Sequence, residues 1–164
     1  MSDFATFKFA VDNDGIATAT FDVPGRSMNT LTAAALKDIT AIAERVKTDA
    51  AIKGLVITSG KPTGFCAGAD IGEMEGNAGV KAAELTENEK LNRQFEGAFG
   101  FNRVLRGLET CGKPVAAAVN GLALGGGLEV TLACHYRVVG DNPKIQLGLP
   151  EAKIGLLPGA GGTQ

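Results

Sequence analysis

Apolar and polar residues alternate along positions 6–23, on either side of the turn sequence "DNDG". An alternation with period two predicts strands with one buried face, and Asp14-Gly15 is a turn sequence typical of hairpins. Pro24 and Gly25 then interrupt the pattern. The first segment is therefore predicted to be a β-hairpin.

The pattern changes to a helical spacing after this hairpin. Thr30 and Thr32 are both candidate N-caps for the segment "LTAAALKDITAIAERVKTD". Its apolar residues recur every three to four positions and predict an amphipathic helix. The predicted buried stripe consists of Leu31, Ala35, Ile39, Ile42 and Val46.

Two short apolar runs, "IKGLVITSG" and "KPVAAAVNG", predict buried strands. The charged, periodic segment between Gly79 and Gly107 predicts one or two helices. Their predicted apolar face consists of Leu85, Leu91, Phe95, Phe99, Val104 and Leu108. Next, "GGGLEVTLACHY" predicts a helix entered through glycines, "RVVG" a strand, and "KIQLGLPEAKIGLLPG" strands or an extended loop around Pro150. This order predicts an α/β fold with right-handed crossovers.

Composition is consistent with one domain over residues 1–164. The chain has 45% hydrophobic residues, 23 glycines and a formal net charge of −2, which predicts a soluble domain with a sizeable core. No apolar run reaches the roughly 18 residues of a membrane span, and the start lacks a secretion signal, so a cytoplasmic location is expected. The absence of a basic cluster disfavours nucleic acid and favours a small ligand. Because "LPGAGGTQ" ends inside a glycine loop, we expect a longer protein.

The three cysteines, Cys66, Cys111 and Cys134, are odd in number and form no CxxC pair. A disulfide framework or a zinc site is therefore disfavoured, and reduced, buried thiols are expected. His135 follows Cys134 directly, and neighbours on a helix point about 100° apart, so a Cys/His nucleophile pair is disfavoured.

Glycine-rich loops also suggest nucleotide binding, but the spacing argues against it. "GLVITSGKP" has five residues between Gly54 and Gly60 where a phosphate-binding loop has four, and Pro62 stands where Ser or Thr would hold magnesium. "GLALGGG" and "PGAGGTQ" lack the GxGxxG spacing of a dinucleotide fold.

An oxyanion hole explains the glycines better. Ala69 in "GFCAGAD" follows a strand among small residues, and Gly126 in "GLALGGGLE" stands at the entry to a helix. Two such backbone N–H groups can converge on one carbonyl oxygen whose negative charge grows during reaction. The alternative, that these glycines only allow tight turns, stays open.

Two acidic residues belong to the same stretches. Glu129 lies three residues after Gly126, so its carboxylate is expected near the same face of the helix. Glu151 follows Pro150 in an otherwise apolar segment, which predicts a partly buried carboxylate. Surface acids are the alternative for both residues. Two carboxylates beside a polarised carbonyl suit general acid/base chemistry on the adjacent carbons.

Taken in order, "PGRSMNTL", "GFCAGADI", "VNGLALGGGLEVTLAC" and "LGLPEAKIGLLPGAGGTQ" resemble the crotonase (enoyl-CoA hydratase/isomerase) superfamily, and within it the hydratase part of multifunctional fatty-acid β-oxidation α-subunits. The resemblance covers nearly the whole chain. It implies an α/β spiral of ββα units, without the C-terminal helices that the family has in addition.

The resemblance also implies roles for the residues. The N–H groups of Ala69 and Gly126 would hold the thioester carbonyl of an acyl-CoA. Glu129 and Glu151 would hold a water between them, one taking its proton as it attacks C3 and the other protonating C2, to give an (S)-3-hydroxyacyl-CoA. With a 3-enoyl substrate, Glu151 would instead shuttle a proton, which is isomerase activity.

By the same resemblance, coenzyme A enters as part of the substrate, no other cofactor or metal is expected here, and NAD belongs to downstream dehydrogenase domains. An oligomer and a thiolase partner subunit are implied as well. Asp70 is alternatively the N-cap of a helix over "IGEMEG". Residues implied along the coenzyme A path are Arg26, Ser27, Met28, Ala67, Asp70 and Ile71, with Arg26 a candidate for a phosphate.

His135 departs from the family, which commonly has Asp there, and we expect this to alter a structural contact only.

Other crotonase chemistries, such as thioester hydrolysis or decarboxylation, share the oxyanion pair but need other polar groups. A non-catalytic acyl-CoA-binding or RNA-associated scaffold is a further alternative, and the lack of a basic patch counts against RNA.

Overall fold

A computed structural model describes residues 4–62, 64–70, 72 and 85–163. The strands are β1 (Phe7–Val11), β2 (Ile16–Phe21), β3 (Gly54–Ser59), β4 (Gly64–Cys66), β5 (Val115–Val119), β6 (Leu122–Leu124), β7 (Tyr136–Val139) and β8 (Leu147–Gly148). The helices are α1 (Ala33–Thr48), α2 (Glu87–Glu109) and α3 (Gly126–Leu132), followed by a 3₁₀ helix over Glu151–Ile154.

The predicted hairpin is confirmed. β1 and β2 pair antiparallel, with Phe7 opposite Phe21. Gly15 adopts a φ of 84° in the turn, which a residue without a side chain adopts at little cost. Asp12 closes the turn because its Oδ1 accepts the N–H of Ile16 over 2.8 Å.

The described strands form two sheets, of which the larger contains this hairpin. One sheet has the strand order β1-β2-β3-β5-β7, and a second, smaller sheet has the order β4-β6-β8. Apart from β1 with β2, the strand pairs in both sheets are parallel. In chain order the described elements repeat as two strands and a helix, so the predicted spiral of ββα units is confirmed.

Helix α1 also forms as predicted. Its N-cap is Thr32, whose hydroxyl accepts the N–H of Ala35 over 3.1 Å, so the choice between the two threonines is settled. The helix buries its apolar stripe together with Asp38, while its other charged residues are exposed. The buried residues of the helix are Ala35, Asp38, Ile39, Ile42, Ala43 and Val46.

Helix α2 departs from the prediction in its packing. A single helix runs from Glu87 to Glu109, and Leu108 is buried as expected. However, Leu91, Phe95 and Phe99 are 64%, 52% and 46% exposed. Helical spacing predicts which side chains share a face, but not whether another element covers that face. Among the described residues, none packs over the first half of this stripe.

All three cysteines are free and buried, as predicted. Burial raises the pKa of Cys66 to about 12, and it raises the pKa of Cys134 to about 12 as well. His135 is not paired with a thiol; its Nδ1 accepts the N–H of Val115 over 3.0 Å at the start of β5. This contact is structural, as expected for that position. No described helix is long and apolar enough to cross a membrane.

The raised thiol pKa values predict chemical protection. At pH 8, Cys66 and Cys134 should react with iodoacetamide at least about 1,000-fold more slowly in the folded protein than in the unfolded chain, because the thiolate is the reactive form. Peptide mass spectrometry after timed alkylation measures each site. An Ala67→Cys variant, with its new thiol on an exposed neighbouring position, is the control that should react rapidly. Equal rates in the folded and unfolded protein would contradict the described burial.

Candidate active site

The chain leaving β4 runs parallel to residues 29–31. The N–H of Ala67 donates to the carbonyl oxygen of Asn29 over 2.9 Å. In a regular parallel ladder the next donor on that strand lies two residues further on. The N–H of Ala69 would then be used up by the carbonyl oxygen of Leu31.

An extra residue at Gly68 prevents the hydrogen bond from Ala69 to Leu31. Leu31 donates its N–H to the carbonyl oxygen of Gly68 over 2.8 Å, and Asp70, not Ala69, donates to the carbonyl oxygen of Leu31 over 3.2 Å. One extra residue therefore stands in the ladder, as in a β-bulge, and Gly68 has a φ of 104°. As a result, the N–H of Ala69 lies outside the ladder, and it has no acceptor among the described residues.

The bulge lies against the start of α3. A Cβ atom on Gly68 would be 3.0 Å from the carbonyl oxygen of Leu124 and 3.6 Å from the nitrogen of Gly126. Gly126 is the first residue of α3, and first-turn N–H groups have no acceptor inside their own helix. The structure thus brings together the two segments that carry the predicted oxyanion donors.

Close packing around the second donor depends on glycine. A Cβ atom on Gly126 would lie 2.9 Å from Leu31 Cδ1 and 3.1 Å from Phe101 Cε1. On Gly127 it would lie only 2.4 Å from the carbonyl oxygen of Cys66, which belongs to the backbone of β4. The beginning of α3 is therefore fixed directly against the strand that leads to the bulge.

Glu129 is 3% exposed and lies in the first turn of α3. Its Oε1 accepts the N–H of Ala160 over 2.7 Å and the N–H of Gly162 over 2.9 Å. Two backbone donors thus fix one carboxylate oxygen in place. Glu129 also lies in the wall of a cavity of about 930 Å³ that Phe99 and Leu132 border.

Glu151 begins the 3₁₀ helix after β8 and is half-buried, as predicted. The burial does not come from the flanking apolar residues, since Ile154 and Leu156 are exposed. It comes from the glycine turn: a Cβ atom on Gly125 would lie 2.8 Å from Glu151 Oε1. The second oxygen, Oε2, is buried and has no hydrogen-bond partner among the described residues.

The residues implied along the coenzyme A path differ in their exposure. Ser27 and Ala67 are exposed, whereas the Met28 side chain packs against Gly64. Ile71 lies outside the described residues, as does most of the segment for which Asp70 is the alternative helix N-cap.

Arg26, the candidate for a phosphate, already has an anionic partner. Its guanidinium forms an ion pair with Asp70 and donates to the hydroxyl of Thr30 over 2.8 Å. Thr30 in turn donates to Asp70 over 3.2 Å. A phosphate at Arg26 would therefore compete with the carboxylate of Asp70.

Several residues of the site were missed by the sequence reasoning. Asn29 is completely buried and its side chain bonds to three segments. Ala160 and Gly162 hold Glu129, and Phe101 covers Gly126. Asn29 is part of the quoted segment "PGRSMNTL", but nothing in its local pattern indicates burial. Among the described residues there is no cluster of His, Cys, Asp or Glu suited to a metal ion.

The fold, the two converging loops and the two carboxylates define an α/β domain of the crotonase type. The match to the enoyl-CoA hydratase/isomerase family covers residues 12–164. The chain belongs to this family.

Relatives in the family share nearly half of the residues. The chain is 46% identical over its full length to the fatty acid oxidation complex subunit alpha of Idiomarina loihiensis, and 48% identical over 97% of its length to that of Shewanella amazonensis. It covers 22% and 21% of those two proteins. The chain therefore spans about a fifth of the length of the curated relatives it matches.

Solved structures confirm the fold. An enoyl-CoA hydratase from Geobacillus kaustophilus superimposes with a TM-score of 0.81 at 28% identity, over 99% of this chain and 56% of that chain. The Pseudomonas aeruginosa protein DspI gives a TM-score of 0.79 at 32% identity, over 100% of this chain and 60% of that chain.

Two helical glycines provide a test of the packing at the site. We expect Gly127→Ala to destabilise the fold by about 3 kcal/mol, because the new methyl group overlaps the backbone of Cys66. Gly107→Ala in α2 is the matched control; a Cβ there meets nothing within 4 Å, so this change should stabilise by about 0.5–1 kcal/mol. Denaturant unfolding measures both values, and equal effects would show that α3 is not fixed against β4.

Proposed function

We propose that the chain forms the hydratase site of an enoyl-CoA hydratase that adds water across a trans-2-enoyl-CoA. The observation that carries this proposal is that Ala69 and Gly126, whose segments meet at Gly68, each have a backbone N–H without an acceptor among the described residues. The carboxylate of Glu151 lies against the adjoining Gly125, and Glu129 lies in the same helix as Gly126. The family assignment supports the same chemistry.

In this proposal the two N–H groups donate to the thioester carbonyl oxygen. Attack of water on C3 moves electrons towards that oxygen, and fixed donors stabilise the negative charge of the resulting enolate. One glutamate, ionised, takes a proton from the attacking water, while the other, protonated, donates its proton to C2. The product is an (S)-3-hydroxyacyl-CoA, and the starting state is restored when the proton passes from the first glutamate to the second.

The environments of the two glutamates differ, as expected if the two groups have different roles in the reaction. Glu129 has one oxygen fixed by two backbone donors, so its position is determined before any substrate binds. Glu151 has a buried oxygen without a partner among the described residues. A buried, unpaired carboxylate oxygen costs free energy, and functional sites are where such a cost is retained.

A second candidate reaction is the isomerisation of a 3-enoyl-CoA to a 2-enoyl-CoA. It needs the oxyanion donors and one carboxyl group that takes a proton from C2 and returns it to C4. The unpaired Oε2 atom of Glu151 favours that residue for this role. Glu129 would then be dispensable for isomerisation but not for hydration.

The names of the relatives suggest the metabolic process in which the chain acts. Two of them are named as alpha subunits of a fatty acid oxidation complex, so we propose that this chain acts on acyl-CoA thioesters in fatty-acid β-oxidation. Assembly with other subunits, a thiolase among them, belongs to the same proposal.

Substitution of either glutamate tests the hydratase. In the natural full-length protein, Glu129→Gln and Glu151→Gln should each lower kcat for a short 2-enoyl-CoA by about 100- to 10,000-fold, because an amide keeps the shape but cannot exchange the proton. Loss of the conjugated enoyl-thioester absorbance measures the rate. Glu44→Gln, on an exposed position of α1, is the control and should keep wild-type kcat.

The same variants separate the two reactions. With a 3-enoyl-CoA, Glu129→Gln should retain isomerisation and Glu151→Gln should lose it. A wild-type protein that binds acyl-CoA but turns over neither substrate would overturn the proposal and favour a binding role or another crotonase reaction.

A further inference from the structure

One peptide group in the loop after the 3₁₀ helix is bound at both of its edges. The carbonyl oxygen of Gly159 accepts a hydrogen bond from Asn102 Nδ2 over 2.7 Å. The N–H of Ala160, which belongs to the same peptide group, donates to Glu129 Oε1 over 2.7 Å. Asn102 on α2 and Glu129 on α3 therefore bind opposite edges of one peptide group.

The planarity of this peptide group links the two contacts. In a trans peptide the C=O and N–H bonds lie in one plane and point in opposite directions. This peptide bond is trans, so a hydrogen bond that holds the carbonyl oxygen of Gly159 also determines where the N–H of Ala160 points. Asn102 thus acts on the direction of a donor that Glu129 receives.

A rotation of the peptide group would break both contacts together. The loop sequence "PGAGG", at positions 158–162, has glycine on each side of Ala160, and glycine accepts many backbone conformations. In the turned orientation the carbonyl oxygen of Gly159 would point towards the carboxylate of Glu129, so that two acceptors would face each other. The contact with Asn102 exists in the observed orientation and not in the turned one, so it favours the observed one.

Few hydrogen bonds hold this loop. Among the described residues, the hydrogen bonds of positions 157–163 are the one from Asn102 and the two that Ala160 and Gly162 donate to Glu129. The bond from Asn102 is the one of these three that does not depend on Glu129 itself. It therefore connects the loop to a second element of the fold.

Asn102 lies on an anchored part of α2. Its neighbour Phe101 contacts the start of α3, since a Cβ atom on Gly126 would lie 3.1 Å from Phe101 Cε1. Leu105 and Leu108, further along the helix, are buried in the core. This half of α2 can therefore hold the loop in a fixed position relative to α3.

We infer that Asn102 is a positioning residue that orients the peptide group between Gly159 and Ala160 and thereby holds the carboxylate of Glu129 in place for hydration. The catalytic part of this inference rests on the proposed function. Asn102 takes no part in the proton transfers, because its effect passes through the peptide group to Glu129.

The test uses Asn102→Leu and Asn102→Ala in the natural full-length protein. Leucine has a similar volume and favours the helix, but it donates no hydrogen bond. Asn120→Leu is the matched control, since Asn120 Nδ2 also donates to a backbone carbonyl oxygen over 2.7 Å, that of Lys61 in a different loop. Circular dichroism and thermal unfolding establish which variants are folded.

The first readout is amide hydrogen exchange at Ala160, measured by mass spectrometry with fragmentation of the peptides. Both Asn102 variants should exchange this N–H about 2- to 10-fold faster than the wild type, the factor that corresponds to the net contribution of one hydrogen bond. Asn120→Leu should leave this exchange rate unchanged. The measurement needs no substrate, so it is independent of the proposed function.

The second readout is hydration of a short 2-enoyl-CoA. The Asn102 variants should lower kcat by about 10- to 100-fold with KM little changed, because a displacement of about 1 Å in a reacting group can cost about 100-fold. In the Glu129→Gln background, Asn102→Leu should cause no further loss, since the two residues act through one route. A general disturbance of the fold would lower the rate in both backgrounds.

The outcomes are distinguishable. Wild-type exchange at Ala160 in folded Asn102 variants would overturn the inference, as would faster exchange with wild-type kcat or a further loss in the Glu129→Gln background. Failure of both Asn102 variants to fold would overturn it too, because Asn102 would then serve the whole fold. A wild-type protein that does not hydrate a 2-enoyl-CoA would overturn the proposed function and the catalytic part of the inference, while exchange at Ala160 still decides whether Asn102 orients the peptide group.

Discussion

The site depends on a one-residue shift between two parallel segments. The chain after β4 pairs with residues 29–31, but Gly68 inserts an extra residue, so that Asp70 occupies the place in the ladder that Ala69 would have in a regular register. Backbone N–H groups in a ladder are consumed by it, and a bulge is a way to free one of them without losing the pairing on either side. The contact of Gly68 with the start of α3 then brings this N–H into the neighbourhood of Gly126.

Three levels of structure support the candidate site. Local conformation requires glycine at 68, and it requires glycine at 125, where φ is 53° and the carboxylate of Glu151 lies in contact. Packing requires glycine at 127, where the backbone of Cys66 leaves no room for a side chain. A buried polar hub at Asn29 links the ends of three strands. Rigid backbone donors need no reorganisation when charge develops, which is why such a site benefits from being built by close glycine contacts.

The carboxylates are arranged by different means. Glu129 is on a helix, and two N–H groups from residues 160 and 162 hold one of its oxygens. Glu151 is on a short 3₁₀ helix and meets the glycine turn from the other side, with one buried oxygen unpaired among the described residues. One carboxylate held by two donors and a second with an unused hydrogen-bonding oxygen fit the proposed reaction, in which protons move to and from neighbouring atoms of the substrate.

Much of the fold and part of the candidate site could be predicted from the sequence alone. Period-two and helical spacings predicted the hairpin, α1 and the order of strands and helices, because each depends on residues close together in the chain. The glycine stretches and two glutamates also indicated oxyanion and acid/base chemistry, and the quoted segments indicated the family. Tertiary structure alone decided the shifted register at Gly68, the burial of Asn29, the donors to Glu129 and the exposure of Leu91 and Phe95. These depend on which distant segments meet, and local periodicity contains no information about the partner.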